Sequence, residues 1–438
     1  MSTESKTAAP GGAYRYYVLA MLVAVYTFNF LDRQILGILA TPIKAAFSLT
    51  DTQFGLMSGL AFALLYTTLG IPVALLADRF SRSWIMTIAF ALWSGFTALC
   101  GLATSFTSLF LMRVGVGIGE AGGAAPAYSL ISDYFPPSQR GRALAVFAFG
   151  IPVGTAAGTL VGGLVAARFG WQWAFIGVGL AGLCLAPIFK LTVKDPPRGG
   201  QDSTAAPVAA APLREVFGAI LHKPSFWLLS FGAAASSVCG YGIAAWLPSF
   251  FQRSFHLSLT HTAWYSAGIT IIGGLLGIWA GGMVADRLGA KSKRAYPLTP
   301  ALAFVIAVPL FLAAMNSGPL LAAVSGSSSG PGGLILGFAL FLIPTGLNLA
   351  WIGPITATVQ HLVKPHMRAT ASAMFLLINN LLGIAGGTYY FGFMSDRLAP
   401  IFGSESLRWS IYTGMGFYLL SATLFVLASR HLEKDWQD

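Results

Sequence analysis

Charge is scarce in this chain of 438 residues, because Asp, Glu, Lys and Arg make up only 9% of it while hydrophobic residues make up 55%. Soluble domains carry about 25% charged residues. This composition excludes an ordinary soluble protein and indicates a chain that crosses a membrane several times. The net charge of +11 does not indicate nucleic acid, since the basic residues lie singly or in small groups between apolar runs.

Cysteine is also scarce, and its three residues, Cys100, Cys184 and Cys239, lie in apolar runs, so no disulfide framework is expected. No G-x-x-x-x-G-K-[ST] sequence occurs, which excludes ATP hydrolysis by that route. No His, Cys, Asp or Glu cluster has the spacing of metal ligands, and no soluble stretch is long enough for an enzyme domain. We therefore expect no metal, no cofactor and no enzymatic activity. The first 13 residues are polar and lack a secretory signal.

Twelve apolar runs are long enough to cross a bilayer, which takes about 20 helical residues. They predict an all-α integral membrane protein with twelve transmembrane helices in two bundles of six. The bundles are expected at 14–191 and 225–430, with a Pro/Ala/Ser/Gly-rich linker at 192–224 and tails at 1–13 and 431–438. The runs lie at 15–45, 53–77, 83–103, 108–131, 141–166, 172–191, 225–251, 262–285, 296–316, 333–361, 367–395 and 408–430.

Orientation follows from the lysines and arginines of the connecting segments. If both termini are cytoplasmic, 19 of these residues lie inside and five lie outside. Cytoplasmic loops carry such an excess of positive charge. We therefore predict a multi-pass protein of the cell (inner) membrane with both termini and the central linker in the cytoplasm.

Helix four, LFLMRVGVGIGEAGGAAPAYSLI, carries Arg113 and Glu120 at membrane depth. Seven residues are close to two turns, so both side chains leave the same face. Charges in such a place face a protein interior or a water-filled cavity and mark function. The glycines of this helix match G-x-G-x-x-G, but the strand and βαβ unit of a dinucleotide site are missing, so we interpret them as helix-packing residues.

The two halves repeat. Asp78-Arg79 after helix two corresponds to Asp286-Arg287 after helix eight, at an offset of 208 residues. RGRALAVF, starting at Arg140, corresponds to RATASAMF, starting at Arg368, at an offset of 228. A repeat of six helices predicts a transporter with its substrate site between the halves.

These motifs resemble the major facilitator superfamily over essentially the whole chain. GMVADRLG, from Gly282 to Gly289, meets the helix 2–3 signature G-x-x-x-D-R-x-G-R well, whereas the first half has Ala74 and Ser81 at its glycine positions. Helix four matches the signature R-x-x-x-G-x-G, and helix five, GIPVGTAAG, loosely resembles the antiporter motif. NFLDRQIL at 29–36, joined to RVGVGIGEAGGAAPA, is similar to the spinster branch. The resemblance implies the major facilitator fold, with two pseudo-symmetric bundles, and export of sphingolipids or lysophospholipids such as sphingosine-1-phosphate.

Asp32 and Glu120 are the candidate proton-coupling residues. Burial favours the neutral form of a carboxyl group and a nearby arginine favours its charged form, so an arriving substrate can change protonation. Arg33 adjoins Asp32 in helix one, but adjacent residues point about 100° apart and need not share a partner. The alternative is that Asp32 only pairs with a cation to hold helix one against helix four.

Arg113 is the main candidate for binding an anionic head group, because its planar fork suits phosphate or carboxylate. The alternative is a permanent ion pair with Glu120 or Asp32. A substrate wall of aromatic and amide groups is expected opposite. The candidate substrate-binding residues are Arg113, Arg33, Phe28, Asn29, Tyr241, Trp246, Asn348, Trp351, Asn379 and Asn380.

Charged residues at the cytoplasmic helix ends are candidates for a conformational gate, because a carboxylate there can meet the N-terminus of another helix. The candidates are Asp78, Arg79, Arg82, Asp133, Arg140, Asp286 and Arg287. Helix five has glycines at a spacing of four, which predicts close packing that supports rocking of the halves.

The sequence thus favours a proton-coupled secondary transporter that moves amphiphilic anions by alternating access, with a membrane lipid or similar small molecule as its partner. A symporter of small organic anions is the alternative within transport. An intramembrane enzyme using Glu120 and Asp32, or a non-transporting receptor, would be different classes. The architecture needs no partner subunit, so a monomer is expected.

Overall fold

The computed structural model describes residues 12–197, 213–289, 292–325, 331–364 and 367–437. Over these ranges the chain forms α-helices with short π- and 3-10 turns, which combine into twelve spans numbered like the predicted helices. Among the described residues, ten stretches are long and apolar enough to cross a membrane. One of them, Thr370–Asp435, contains two spans. Span 4 is not among the ten, because its helix breaks after Glu120 and each piece is too short. The all-α, twelve-helix prediction is confirmed.

The first six spans have the following bounds. Span 1 is Gly12–Ile38 and Ala40–Phe47, span 2 is Asp51–Gly55, the π-turn Leu56–Leu60 and Ala61–Arg79, and span 3 is Arg82–Cys100. Span 4 is Phe106–Glu120 and Ala124–Tyr134, span 5 is Pro137–Ala148 and Gly150–Phe169, and span 6 is Trp171–Thr192.

The second six follow a linker helix, Leu213–Leu221. Span 7 is Pro224–Ser254, span 8 is Leu259–Gly289 and span 9 is Ala295–Met315, followed by the short helix Ser317–Ser325. Span 10 is Pro331–Asn348 and Ile352–His361, span 11 is Arg368–Asn380, the π-turn Leu381–Ala385 and Gly386–Phe402, and span 12 is Ser406–Asp435 after the 3-10 turn Gly403–Glu405. The helix of span 12 continues to Asp435, past the apolar run that ends at residue 430.

The first and last described residues, Gly12 and Gln437, lie at one end of the helical body, because an even number of spans alternates in direction. We call this the termini end and the opposite one the far end. Within the first half, span 1 packs on span 5 and span 3 on span 6, and within the second half span 12 packs on spans 7 and 9. The halves meet where span 2 contacts span 11, span 5 contacts span 8 and span 1 contacts span 7.

The glycines of span 5 pack against span 1. A Cβ on Gly154 would meet the carbonyl oxygen of Thr27, and one on Gly158 would meet that of Leu31. Gly150 and Gly162 face span 1 in the same way. The predicted close packing is confirmed. These four glycines pack against span 1, which belongs to the same half as span 5, so they join two helices of one half and do not lie between the halves.

The internal repeat is visible as the same hydrogen bond in both halves. The guanidinium Nε of Arg140 donates to the carbonyl oxygen of Ser132 at 2.9 Å, and that of Arg368 donates to Gln360 at 3.1 Å, each eight residues earlier. Both bonds close the turn between two consecutive spans. The arginines that align by sequence therefore do the same structural work.

Candidate functional site

A cavity of about 230 Å³ lies between the halves. Every span except 3, 6 and 12 contributes to its wall. Arg33 and Arg113 are the charged side chains of the described lining. The rest is apolar or carries uncharged polar groups, from Gln34, Ser58, Thr155, Thr159, Ser237, Tyr241, Ser266, Thr270, Thr345, Asn348 and Thr388.

Two buried ion pairs join span 1 to span 4 beside this cavity. Arg33 Nε lies 2.8 Å from Glu120 Oε2, and Arg113 Nη1 lies 3.3 Å from Asp32 Oδ1. The hydroxyl of Thr97, on span 3, donates to Asp32 Oδ2. Asp32, Arg113 and Glu120 are each 1% exposed. The adjacent residues Asp32 and Arg33 of span 1 thus have different partners. Of the two carboxylates considered as partners of Arg113, Glu120 and Asp32, the structure pairs it with Asp32.

Arg33 rests on aromatic rings. Its guanidinium carbon lies 4.6 Å from the ring centroids of both Phe62 and Tyr66 and 5.1 Å from that of Phe30. Such contacts attract a cation electrostatically. Arg33 is therefore held from two sides, by one carboxylate oxygen and by aromatic faces, and its side chain keeps 15% exposure.

Glycines of span 4 bring the neighbouring helices close enough for these pairs to form. A Cβ on Gly117 would lie 2.6 Å from the carbonyl oxygen of Phe62 in span 2, and one on Gly119 would lie 2.5 Å from the backbone of Trp93 in span 3. These contacts confirm the helix-packing interpretation of the G-x-G-x-x-G pattern. They leave no room for a nucleotide.

The predicted residues of the second half divide into two groups. Tyr241, Asn348 and Trp351 line the cavity. Trp246 is fully buried, donates from Nε1 to the carbonyl oxygen of Thr388 at 2.9 Å and stacks edge-on against Phe54 of the first half. It therefore belongs to the contact between the halves.

The amides of span 11 and the early part of span 1 lie behind the cavity wall. Ser237, which lines the cavity, donates to Asn379 Oδ1 at 2.8 Å, and Asn379 in turn contacts Asn380. Phe28 packs edge-on against Phe90. Asn29 is 5% exposed and lines a separate small chamber with Glu120.

Two of the candidate gate residues at the termini end, Arg82 and Asp133, belong to a network within the first half. Arg82 is 1% exposed and contacts Asp133, while its Nε donates to Asp195 Oδ1 at 2.8 Å. Arg79 and Arg287 are exposed. Asp78 and Asp286 lie in spans 2 and 8, but their side chains are outside the described part of the structure.

Asp195 is a member of this network that sequence reasoning missed. Burial disfavours its charged form, but hydrogen bonds from the Ser81 hydroxyl, the Ser83 amide and Arg82 hold the pKa of this carboxyl below its ordinary value. Its position directly after span 6 was the available signal. A carboxylate at that point lies next to the N-terminus of span 3, where the helix dipole favours negative charge.

A second missed cluster joins the halves at the far end. Asp51 accepts two hydrogen bonds from Arg253, at 2.6 and 2.7 Å, and one from the Ser395 hydroxyl at 2.7 Å, and it also contacts Lys44. It is 4% exposed. A two-pronged arginine–carboxylate pair is among the stronger polar contacts in proteins. We call these four residues the far-end seal.

Asp396 extends this seal by capping span 2 from the other half. Its carboxylate accepts from the Asp51 and Thr52 amides, at 3.1 and 2.7 Å, and from the Thr52 hydroxyl at 2.6 Å. One turn on, the Thr388 hydroxyl donates to the carbonyl oxygen of Gly55 at 3.1 Å. The π-turns of spans 2 and 11 lie beside these contacts, so irregular backbone and cross-half bonding coincide.

Comparison with known proteins gives one consistent family. The family model of the Major Facilitator Superfamily matches residues 22–388. The chain is 32% identical to an MFS-type efflux pump of Mycolicibacterium smegmatis, over 95% of this chain and 93% of that protein. It is 30% identical to human protein spinster homolog 1, over 94% of this chain and 81% of that protein.

Solved structures agree. A bacterial homolog of the human lysosomal transporter spinster, in an inward-facing and unoccupied conformation, superposes with a TM-score of 0.83 at 31% identity, covering 98% of this chain and 99% of that one. The inward-facing and occupied conformation gives a TM-score of 0.81 with the same coverage and identity.

Proposed function

We propose that this chain, which belongs to the spinster branch of the Major Facilitator Superfamily, couples a proton gradient to the movement of amphiphilic anions such as sphingolipids or lysophospholipids. As a member of that family it is a membrane transporter that works by alternating access. The observation that carries the proposal is the presence of two buried ion pairs between spans 1 and 4, Arg33–Glu120 and Arg113–Asp32, at the wall of the central cavity.

The lining of the cavity supports an anion with an apolar tail. Both arginines lie in the first half, and the described lining of the second half carries hydroxyl, amide, aromatic and aliphatic groups without charge. An anionic head at Arg33 or Arg113 can pair with a guanidinium, while a tail along Ile269, Leu349 and Ile352 buries apolar surface.

Competition for the arginines supports proton coupling. A head group that takes Arg33 from Glu120, or Arg113 from Asp32, leaves a buried carboxylate without its cation, and a proton neutralises it at lower cost than leaving it charged. Anion and proton then bind together, and each raises the affinity for the other. We therefore expect ligand affinity to rise as the pH falls.

The positions of the contacts support an inward-facing state. The far-end seal and the Asp396 cap close the end opposite the termini. With cytoplasmic termini in the inner membrane, as the distribution of basic residues favours, the closed end is the external one. The cavity is then accessible from the cytoplasm, and the seal has to break before the cavity opens to the outside.

The test is uptake of a labelled lysophospholipid or sphingosine-1-phosphate into proteoliposomes, with and without a pH gradient, for wild type and Glu120→Gln. We expect gradient-dependent uptake in the wild type and its loss in Glu120→Gln. Glu433→Gln is the matched control, because it makes the same chemical change at a residue in an exposed ion pair with Arg294. Equal uptake by Glu120→Gln and wild type would overturn the coupling role.

A symporter of small organic anions is the second candidate, and the size of the cavity favours it. Ligand pockets commonly hold about 300–1,000 Å³, and the present cavity of about 230 Å³ is below that range. Proteoliposomes that accumulate a labelled dicarboxylate under a pH gradient, but none of the lipids, would establish this alternative.

A further inference from the structure

Glu120 has one carboxylate oxygen without a partner. Oε2 is bound by Arg33, whereas Oε1 is buried and has no hydrogen-bond partner in the described part of the protein. The side chain of Glu120 has no exposure. A buried carboxylate oxygen left unsatisfied costs free energy and calls for a proton, a water molecule or an ion.

A chamber of about 10 Å³ adjoins this carboxylate and is separate from the substrate cavity. Glu120 lines the chamber and does not line the cavity, whereas Arg33 lines the cavity and does not line the chamber. The Arg33 guanidinium therefore stands between the two spaces. A volume of about 10–15 Å³ is what one water molecule requires, together with two to four polar partners.

Polar groups are present in the chamber wall. Tyr26, Asn29, Tyr66 and Glu120 line it together with apolar side chains such as Met86 of span 3 and Phe147 of span 5. The charged groups that act on Glu120 are Arg33, Asp32 and Arg113. The titratable groups of the chamber wall are Glu120 and the two tyrosines.

The chamber points toward the termini end. Its residues on span 1, from Leu22 to Asn29, precede Arg33 in a helix that starts at that end, and its residues on span 4, from Gly123 to Ala127, follow Glu120 in a helix that runs toward it. The Tyr26 ring stacks on Phe147, and the Tyr128 ring packs edge-on against the same side chain. Tyr128 is 46% exposed, so the row of rings reaches the protein surface.

We propose that the chamber binds one water molecule, hydrogen-bonded to Glu120 Oε1, that carries protons between this carboxylate and the termini end by a route separate from the substrate cavity. The water gives one proton to Oε1 and regains one from the solvent side, past Tyr26. The inference rests on the proposed proton coupling, since it supplies the path by which Glu120 is protonated while substrate fills the cavity.

Gly123→Ala tests this, because Gly123 lines the chamber and its new methyl group would lie in ordinary contact, 3.4 Å from the Glu120 carbonyl oxygen and 3.6 Å from the ring of Trp93, which also lines the chamber. The measurement is the rate at which the infrared carboxyl band of Glu120, identified by its loss in Glu120→Gln, appears after a rapid drop in pH in detergent solution. We expect Gly123→Ala to slow it about a hundredfold, the lower end of what a positioned proton-transfer group contributes. Gly95→Ala, which has open space around its new methyl group, is the control and keeps the wild-type rate.

Equal rates in Gly123→Ala and wild type would overturn the proposal, as would a Glu120 band that never responds to pH. Tyr26→Phe is the second variant, since it keeps the ring on Phe147 and removes only the hydroxyl; a slowed band there supports the route and a wild-type rate removes Tyr26 from it. The readout does not need transport. If wild-type uptake does not depend on the pH gradient but the Glu120 band is still slowed in Gly123→Ala, the proposed function is rejected and the water site is kept.

Discussion

At the residue scale, the two cavity arginines are held in different ways. Arg33 lies on three aromatic rings and keeps 15% exposure of its side chain, whereas Arg113 is 1% exposed and its Nε has no hydrogen-bond partner in the described structure. Under the proposed function, an anionic head group in the cavity would therefore meet Arg33 first. Arg113 and Asp32 form the more deeply buried pair, in which each charge is stabilised by the other.

This dependence makes a stability prediction. Arg113→Ala leaves the Asp32 carboxylate buried without its cation, which costs about 3–5 kcal/mol for a buried pair. Arg113→Ala combined with Asp32→Asn removes both charges, so we expect it to recover most of the loss. The measurement is the melting temperature of purified protein in detergent. A double variant no more stable than Arg113→Ala alone would show that the pair is not the reason for the loss.

Asp195 gives a prediction about pH. Its pKa is held below the ordinary value by its hydrogen bonds, so its contribution to stability is complete above the ordinary aspartate pKa of about 3.9. That contribution is lost as the pH falls through the lowered pKa. We expect Asp195→Asn to melt at a lower temperature than wild type at pH 7, with the difference shrinking below about pH 4. A difference independent of pH would assign the effect to packing.

The four charges of the site could be predicted from sequence, but their pairing could not. Arg33, Asp32, Arg113 and Glu120 are conspicuous because charge at membrane depth is costly. Which arginine meets which carboxylate depends on the rotation and height of span 1 against span 4. The glycines of span 4 and the helix break after Glu120 set that register, and periodicity does not report it.

At the element scale, glycine contacts decide how closely spans approach. Gly158 lies against the backbone of Leu31, so a methyl group there cannot be accommodated without separating spans 1 and 5. Close approach of helix backbones through small residues is a main source of helix association in membranes. The spans were predictable from apolar run length, whereas the partner of each glycine face required the structure.

We expect Gly158→Ala to destabilise the protein by about 1–3 kcal/mol, the usual cost of overpacking. Gly177→Ala in span 6 is the matched control, because nothing lies within 4 Å of its new methyl group, and it should be neutral or stabilising by up to about 1 kcal/mol, since alanine is the better helix former. Melting in detergent measures both. Equal melting temperatures for the two variants would contradict the packing of span 5 on span 1.

At the scale of the whole molecule, the cross-half ion pair of the described structure, Asp51–Arg253, and the cross-half helix cap by Asp396 both lie at the far end. Asp51, Arg253, Ser395 and Asp396 are separated by up to 345 residues in sequence. No local pattern links residues so far apart, which is why the sequence predicted a gate at the termini end and missed this one. The candidate gate network of Arg82, Asp133 and Asp195 instead ties spans 3 and 4 to the start of the linker.

The far-end seal predicts which conformation a variant will favour. Asp51→Asn weakens the two-pronged pair with Arg253 while keeping the size of the side chain, so the balance between the two states should move toward opening at the far end. Spin labels at the exposed far-end positions Phe169 and Ile401, one in each half, report the distance by electron resonance in a chain whose native cysteines are replaced. We expect a longer distance in Asp51→Asn and an unchanged one in Glu433→Gln. An unchanged distribution in Asp51→Asn would mean that the Asp396 cap and the Thr388 contact hold the far end closed without the ion pair.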